Sequence, residues 1–273
     1  MSAQRRGQLG GGSGAMPDAP ATDGWAVDIV LCIDVTGSMS PVLKQVKEGA
    51  LSFHGRLKAV MARRGMDIGR MRLRVIAFRD FGADRDRVIE RTSFLDLPEQ
   101  EAEFAEFIAG LRATGGGDVP ESGLEALALA VRSPWSARNE SSDDRRHIVV
   151  LFTDAPAHPL GRHTPRRRTA KSPSARPPWW SPRRGAGASA SPEDVDVYPR
   201  SLDELHDQWG REGQDGAVMD QSAKRLLIFA PEQKPWRDIA ETWDKTLFVP
   251  SVAGTGLKEI ALDEVISTIA RNL

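Results

Sequence analysis

The chain has 273 residues and a mass of 29.9 kDa, and its 37 Lys and Arg against 38 Asp and Glu leave a net charge of −1. With 40% hydrophobic residues it is long enough to bury a sizeable core, and its charge balance argues against a polyanion binder built on bulk charge. A single cysteine, Cys32, excludes an internal disulfide and a cysteine-based zinc cluster.

Residues 1–24 are mostly Gly, Ala, Ser and Pro, the composition of a disordered tail. Arg5-Arg6 is followed by Gly7-Gln8-Leu9-Gly10 in place of the apolar stretch of an export signal. No window reaches the roughly 18 apolar residues of a membrane span, so no membrane attachment and a cytoplasmic location are expected.

The ordered pattern begins at Trp25. Val27–Asp34 is a nearly continuous apolar run, as in a strand buried on both faces of a parallel sheet. Leu43, Val46, Ala50, Phe53, Leu57 and Val60 then recur at helical spacing. Met71, Leu73, Val75 and Ala77 alternate with Arg72 and Arg74, which predicts a strand, and Val88-Ile89 predicts a short one. Phe104, Phe107, Ile108 and Leu111 mark a second helix and Leu124–Val131 a third, before the apolar strand His147–Phe152.

Residues 159–192 break the pattern with Pro, Ser, Lys and Arg and no acid, the composition of a long, mobile, basic low-complexity insert. Beyond it the sequence predicts a helix at Ser201–Trp209, a strand at Arg225–Phe229, a helix at Trp236–Trp243, a strand at Leu247–Val249 and a last helix at Leu257–Asn272. Six strands interleaved with helices predict an α/β fold: a doubly wound, mainly parallel six-stranded sheet formed by one domain over 25–273. Ligand chemistry in such sheets gathers at the carboxyl ends of the strands.

Three motifs fall at those ends. Asp34-Val35-Thr36-Gly37-Ser38 follows the first strand, and Asp154 follows the strand that ends at Phe152. Between them Thr114-Gly115-Gly116-Gly117-Asp118-Val119-Pro120-Glu121 is a Gly-rich loop that opens a helix. Asp34, Thr36 and Ser38 alternate along an extended segment and offer one carboxylate and two hydroxyls. Such hard oxygen donors suit Mg²⁺, Mn²⁺ or Ca²⁺ in preference to zinc or copper. Each motif also has a plainer reading. Asp34, Ser38 and Ser40 are ordinary helix caps, and the glycines an ordinary turn.

Taken together, Asp34-x-Thr36-Gly37-Ser38-Met39, the Gly-rich loop and Phe152-Thr153-Asp154 resemble the von Willebrand factor A fold and its metal-ion-dependent adhesion site. Thr36 replaces the usual middle Ser and keeps the hydroxyl. Arg79-Asp80-Phe81-Gly82, combined with Gly115-Gly116-Gly117-Asp118-x-Pro120-Glu121, resembles intracellular members, bacterial ones and those attached to alpha-type kinases. The resemblance covers roughly 25–158 and, more weakly, 195–273. It implies a divalent cation, Mg²⁺ or else Mn²⁺ or Ca²⁺, held by Asp34, Thr36, Ser38, Asp118 and Asp154. The family's second loop normally offers a Thr. Asp118, next to the helix start, is the first choice here and Thr114 the second.

The resemblance implies a non-enzymatic module in which the cation accepts a carboxylate from a protein partner, within an intracellular signalling or defence assembly. A metal-dependent phosphohydrolase of haloacid-dehalogenase-like type is the alternative, but it needs a second acid where Thr36 stands. Gly-x-Ser-x-Gly is absent, which removes a serine-hydrolase reading. Nucleic-acid contact through the basic insert, with Trp179-Trp180 as a stacking surface, is a further alternative to a simple solvated loop. Among the histidines, His54 is expected on a helix, His147 at a strand start and His158 in a solvated loop. Trp209, Trp236 and Trp243 read as packing residues.

Overall fold

Alternate side chains of β1 (Trp25–Asp34) enter two different cores, which is why Ile29–Ile33 is apolar without a break. Ile29, Leu31 and Ile33 join one cluster of buried residues, and Val30 and Cys32 the other. The first cluster is completed by α1 (Ser40–Gly49), α2 (Phe53–Ala62), α3 (Glu101–Gly110) and α7 (Leu262–Arg271). The second is completed by α4 (Gly123–Val131), α5 (Leu202–Trp209) and α6 (Trp236–Thr242). Full burial of each Leu, Ile or Phe stabilises by roughly 1.5–3 kcal/mol. A strand with both faces covered is thus anchored far more firmly than an edge strand.

The computed structural model describes residues 24–84, 88–116, 119–137, 144–161, 198–211 and 217–273. The predicted N-terminal tail, all but the first few residues of the basic insert, and Asp118 lie outside the described residues.

Within them the fold is mixed α/β, a mostly parallel seven-stranded sheet flanked by helices, in the order β3-β2-β1-β5-β6-β7. The remaining members are β2 (Ile68–Phe78), β3 (Ile89–Arg91), β5 (Arg145–Phe152), β6 (Lys224–Pro231) and β7 (Thr246–Ser251). In the parallel register Asp34 lies beside Phe78, and Ile33 beside Phe152, so the loops after these strands emerge at one edge. No helix among the described residues is long and apolar enough to cross a membrane.

The count of six strands is corrected to seven. β4 (Leu95–Leu97) pairs antiparallel with the start of β2, while β3 pairs antiparallel with its end. Three residues cannot display a period, so the sequence hid this strand. The long helix predicted from Leu43 to Val60 is two helices separated by a 3-10 turn at Ala50–Ser52, where the Ser52 hydroxyl donates to Gly49 O at 3.2 Å. The last helix begins at Leu262, five residues later than predicted, because Leu257 adopts φ 53° and cannot lie inside a right-handed helix. Trp209, Trp236 and Trp243 are buried, as expected.

Candidate metal centre

Asp34 is the last residue of β1 and is fully buried. Its Oδ1 accepts from the Thr36 amide at 2.9 Å and the Thr36 hydroxyl at 2.6 Å, and its Oδ2 accepts from the Thr153 hydroxyl at 2.7 Å. Thr36 then precedes a 3-10 turn, Gly37–Met39, that leads into α1 without any side-chain cap bond. The plainer reading of Asp34, Ser38 and Ser40 as caps of this helix is therefore not what the structure shows.

The turn is exposed at Gly37 and Ser38, and there the Ser38 hydroxyl donates to Asp154 Oδ1 at 2.9 Å. Asp154 Oδ2 accepts from the Gly256 amide at 2.8 Å, and its carbonyl accepts from Gly254 N at 2.9 Å. The Asp154 carboxylate is thus fixed between the first turn and the segment leading to α7. Gly256 has φ +67°, and a Cβ there would meet Ser38 O at 2.1 Å, so only glycine permits this approach.

The Gly-rich loop closes the other side. Gly37 N donates to Gly115 O at 3.3 Å and Thr114 N to Val35 O at 3.0 Å. The Arg79 guanidinium donates to Thr114 O at 3.1 Å, to Arg112 O at 2.8 Å and to Glu90 at 2.9 Å. Asp84 accepts from Gly116 N at 3.1 Å. The Arg79-Asp80-Phe81-Gly82 segment thus clamps the Gly-rich loop. Thr114 is exposed at the rim, and Asp118 lies beyond the described part of the loop.

Behind this shell lie further acids, outside the expected ligand set. Asp80 Oδ1 accepts from Gly82 N at 2.8 Å and lies 3.3 Å from His158 Nε2. His158 is thus a buried partner of Asp80 and not the expected solvated loop histidine. Glu121 and Glu125 are buried, and Oε2 of each meets no donor among the described residues. Only their place in the Gly-rich motif and the following helix marked them in the sequence.

The electrostatics are unbalanced. Burial, joined by repulsion from Asp154, outweighs the Thr36 and Thr153 bonds and pushes the Asp34 carboxyl up to about 6. Burial, then the charges of Asp34, Asp80, Asp84 and Asp154, push Glu121 up to about 8. Burial and Asp80 push Glu125 up to about 7.

Such a site suits a hard cation. The Thr36 and Ser38 hydroxyls have both given their protons to carboxylates, which leaves their lone pairs as acceptor positions. A buried carboxylate oxygen without a donor, as on Glu121, is the other sign that positive charge belongs nearby. Among the described residues no three His, Cys, Asp or Glu converge as ligands of one ion. A cation here would rest on two carboxylates and hydroxyls, a hard-oxygen set and not a zinc site.

No family model matches the chain. It has weak similarity to the alpha-protein kinase vwkA of Dictyostelium discoideum, 27% identity over 138 residues that cover 50% of this chain and 20% of the kinase. The aligned part is thus about a fifth of that relative's length. Among solved structures it is similar to the pilus adhesin SpaC of Lactobacillus rhamnosus GG, with TM-score 0.51 and 11% identity, over 92% of this chain and 31% of that one. A lesser likeness, TM-score 0.44 and 13% identity, is to proximal thread matrix protein 1 of the mussel byssus, over 90% of this chain and 48% of that one. At these identities the likeness to solved structures concerns the fold alone, and the chain is a mixed α/β protein distantly similar to an alpha-protein kinase.

Proposed function

We propose that the chain is a von Willebrand factor A-type module, doubly wound, that binds a divalent cation and uses it to hold a protein partner. The observation that carries this reading is the pairing of Thr36 with Asp34 and of Ser38 with Asp154 across two strand ends. Both hydroxyls donate to carboxylates and keep lone pairs free to accept, Thr36 buried and Ser38 at the exposed turn beside it. Asp34, Thr36, Ser38 and Asp154 would hold the ion, with Asp118, or in second place Thr114, from the Gly-rich loop. Mg²⁺ is the expected ion, with Mn²⁺ or Ca²⁺ as substitutes. When bound, it supplies a Lewis-acidic position for a carboxylate of the partner. Asp34 and Asp154 fix the hydroxyl rotamers, and Thr153 and the Gly256 amide fix the two carboxylates in turn.

A hydrolase is disfavoured by the same geometry. The position where a phosphohydrolase of the haloacid-dehalogenase type needs an acid is Thr36, whose proton is committed to Asp34. The role proposed is non-enzymatic assembly inside the cell with signalling partners, and the likeness to part of an alpha-protein kinase makes kinases the first partner class to try.

Calorimetric titration of Mg²⁺ and Mn²⁺ into metal-stripped protein tests this, with Asp34→Ala alongside. Saturable binding that disappears in the variant is expected. Absence of binding, or binding that Asp34→Ala leaves intact, overturns the reading.

A further inference from the structure

β5 and β6 each open on two basic residues, Arg145-Arg146 and Lys224-Arg225. Alternation along a strand sends one of each pair to either face of the sheet. On the face covered by α4 and α5, Arg145 pairs with Asp220, and Lys224 with Asp244 at 2.8 Å. On the other face Arg146 and Arg225 are half-buried, and neither makes an ion pair with a side-chain carboxylate among the described residues. Their bonds go to main-chain oxygens. Arg146 donates to Leu273 O and Arg145 O, each at 2.8 Å. Arg225 donates through Nη1 to Lys224 O at 2.6 Å and Ser222 O at 3.4 Å. Both guanidinium groups are thereby held in place, with Nη2 of each unspent among the described residues. Arg146 also lies over the Trp25 ring, 4.4 Å from its centroid. Burial, then the charge of Arg225, lowers the proton affinity of Arg146, and the exposed Asp144 offsets only part of this.

The register aligns these groups. With His147 beside Lys224 and Leu226 beside Thr246, Arg146, Arg225 and Leu247 advance one strand and two residues at each step. Trp25 on β1 begins the same diagonal. The strand spacing and rise make each step about 8 Å. Leu247 ends the line on the edge strand β7 and is 38% exposed, a large apolar side chain open to solvent. We propose that Arg146, Arg225 and Leu247 form a docking surface for an acidic segment of a protein partner, two carboxylates meeting the arginines and an aliphatic side chain meeting Leu247. In an extended segment every second side chain shares a face, about 7 Å apart, which matches this diagonal. The fitting pattern is acid-x-acid-x-aliphatic. A free phosphate fits less well, because the backbone amides of β5 and β6 are spent within the sheet and form no anion nest. A nucleic acid would set phosphates against Leu247, and the net charge of −1 offers a polyanion no long-range attraction. The surface lies at the opposite edge of the sheet from the candidate metal centre and does not depend on it.

The test uses the full chain in the presence of a chelator, so that no carboxylate is captured through a metal. The probe is a fluorescent peptide that repeats Glu-Ser-Glu-Ser-Leu, followed by anisotropy. Saturable binding is expected, weakening by about tenfold between about 50 and 200 mM salt. Replacing each Glu of the peptide by Gln should weaken it by at least about tenfold. Arg225→Gln should cost about tenfold as well, and it spares the fold because the bonds of Arg225 reach only residues 222 and 224. Leu247→Ser should cost about threefold. Arg237→Gln is the control, since Arg237 pairs with Glu232 and Glu241 on α6 and should leave binding within about twofold. Failure of the Glu peptide to bind, or equal binding of the Gln peptide, overturns the proposal. So does affinity unchanged in Arg225→Gln or in Leu247→Ser. Tighter binding of a short oligothymidylate, lost in Arg225→Gln, would assign the surface to nucleic acid and overturn it too.

Discussion

Asp28 and Asp34 lie toward opposite ends of β1 and are both buried, but their surroundings differ in sign. Asp28 takes two bonds from the Arg72 guanidinium, at 2.7 and 2.6 Å, and one from the Ser136 amide at 2.8 Å. Burial raises its carboxyl, and the bonds and charge of Arg72 more than undo that, so it sits below the usual range. Its neighbours follow the same rule. Lys224 pairs with Asp244 at 2.8 Å and donates to two carbonyls, and Arg145 pairs with Asp220. Asp34 has only hydroxyls and an amide, and its carboxyl rises. Buried charge at the N-terminal edge of the sheet is matched from within the chain. At the C-terminal edge Asp34, Glu121 and Glu125 have no cationic partner among the described residues, the imbalance on which the proposed cation site rests.

The largest effect should come from breaking the matched end. Arg72→Leu leaves Asp28 buried and unpaired and should cost about 3–5 kcal/mol in urea unfolding at pH 7. Because the folded carboxyl of Asp28 titrates below its unfolded value, the stabilisation is present above the unfolded value. It is lost as pH falls through the folded one. The deficit of Arg72→Leu should therefore shrink in acid, and a deficit independent of pH would assign it to lost packing against Phe94 instead.

Completing the unmatched end should give the next largest effect. Mg²⁺ or Mn²⁺ at a hundredfold excess over its dissociation constant should stabilise the chain by about 2.7 kcal/mol. In thermal melts Asp34→Ala and Asp154→Ala should remain folded and lose this increment, while Arg72→Leu should keep it. Melting curves that cations do not move in the unaltered chain would erase the contrast between the two ends.

Gly256→Ala sharpens the comparison further. Its side chain would enter at positive φ and strike Ser38 O, at a cost of about 1–3 kcal/mol. It should also weaken cation affinity, because the Gly256 amide holds Asp154. Unchanged ion binding in this variant would show that Asp154 is held well enough without it. The smallest effect is expected of Thr36→Ser, which keeps the hydroxyl and should hold Mn²⁺ affinity within about threefold. Thr36→Val, of similar shape without that oxygen, should lose binding in the same titration.

Much of the architecture was legible in local patterns. Val27–Asp34 and His147–Phe152 announce themselves because a strand covered on both faces must be apolar throughout. Asp34 and Asp154 were placed at strand ends by the same reasoning, and the structure does bring Asp34, Thr36, Ser38 and Asp154 together. The burial of His158 is not legible, since nothing near it in the sequence shows that Asp80 lies 3.3 Å away. β4 is not legible, because three residues are too few to display an alternation.

Local pattern alone accounts for six of the seven strands, most of the helices and the strand-end positions of the oxygen-bearing motifs. These follow from hydrophobic periods and glycine placement over a few residues, properties that a chain carries wherever it goes. Which motifs meet, and which acids go unmatched, depends on contacts between distant segments. Ser38 meets Asp154 across 116 positions, and Glu121 is enclosed between Thr36, Gly116 and the Asp154 loop. The register of parallel strands decides such meetings, through contacts that no local period encodes.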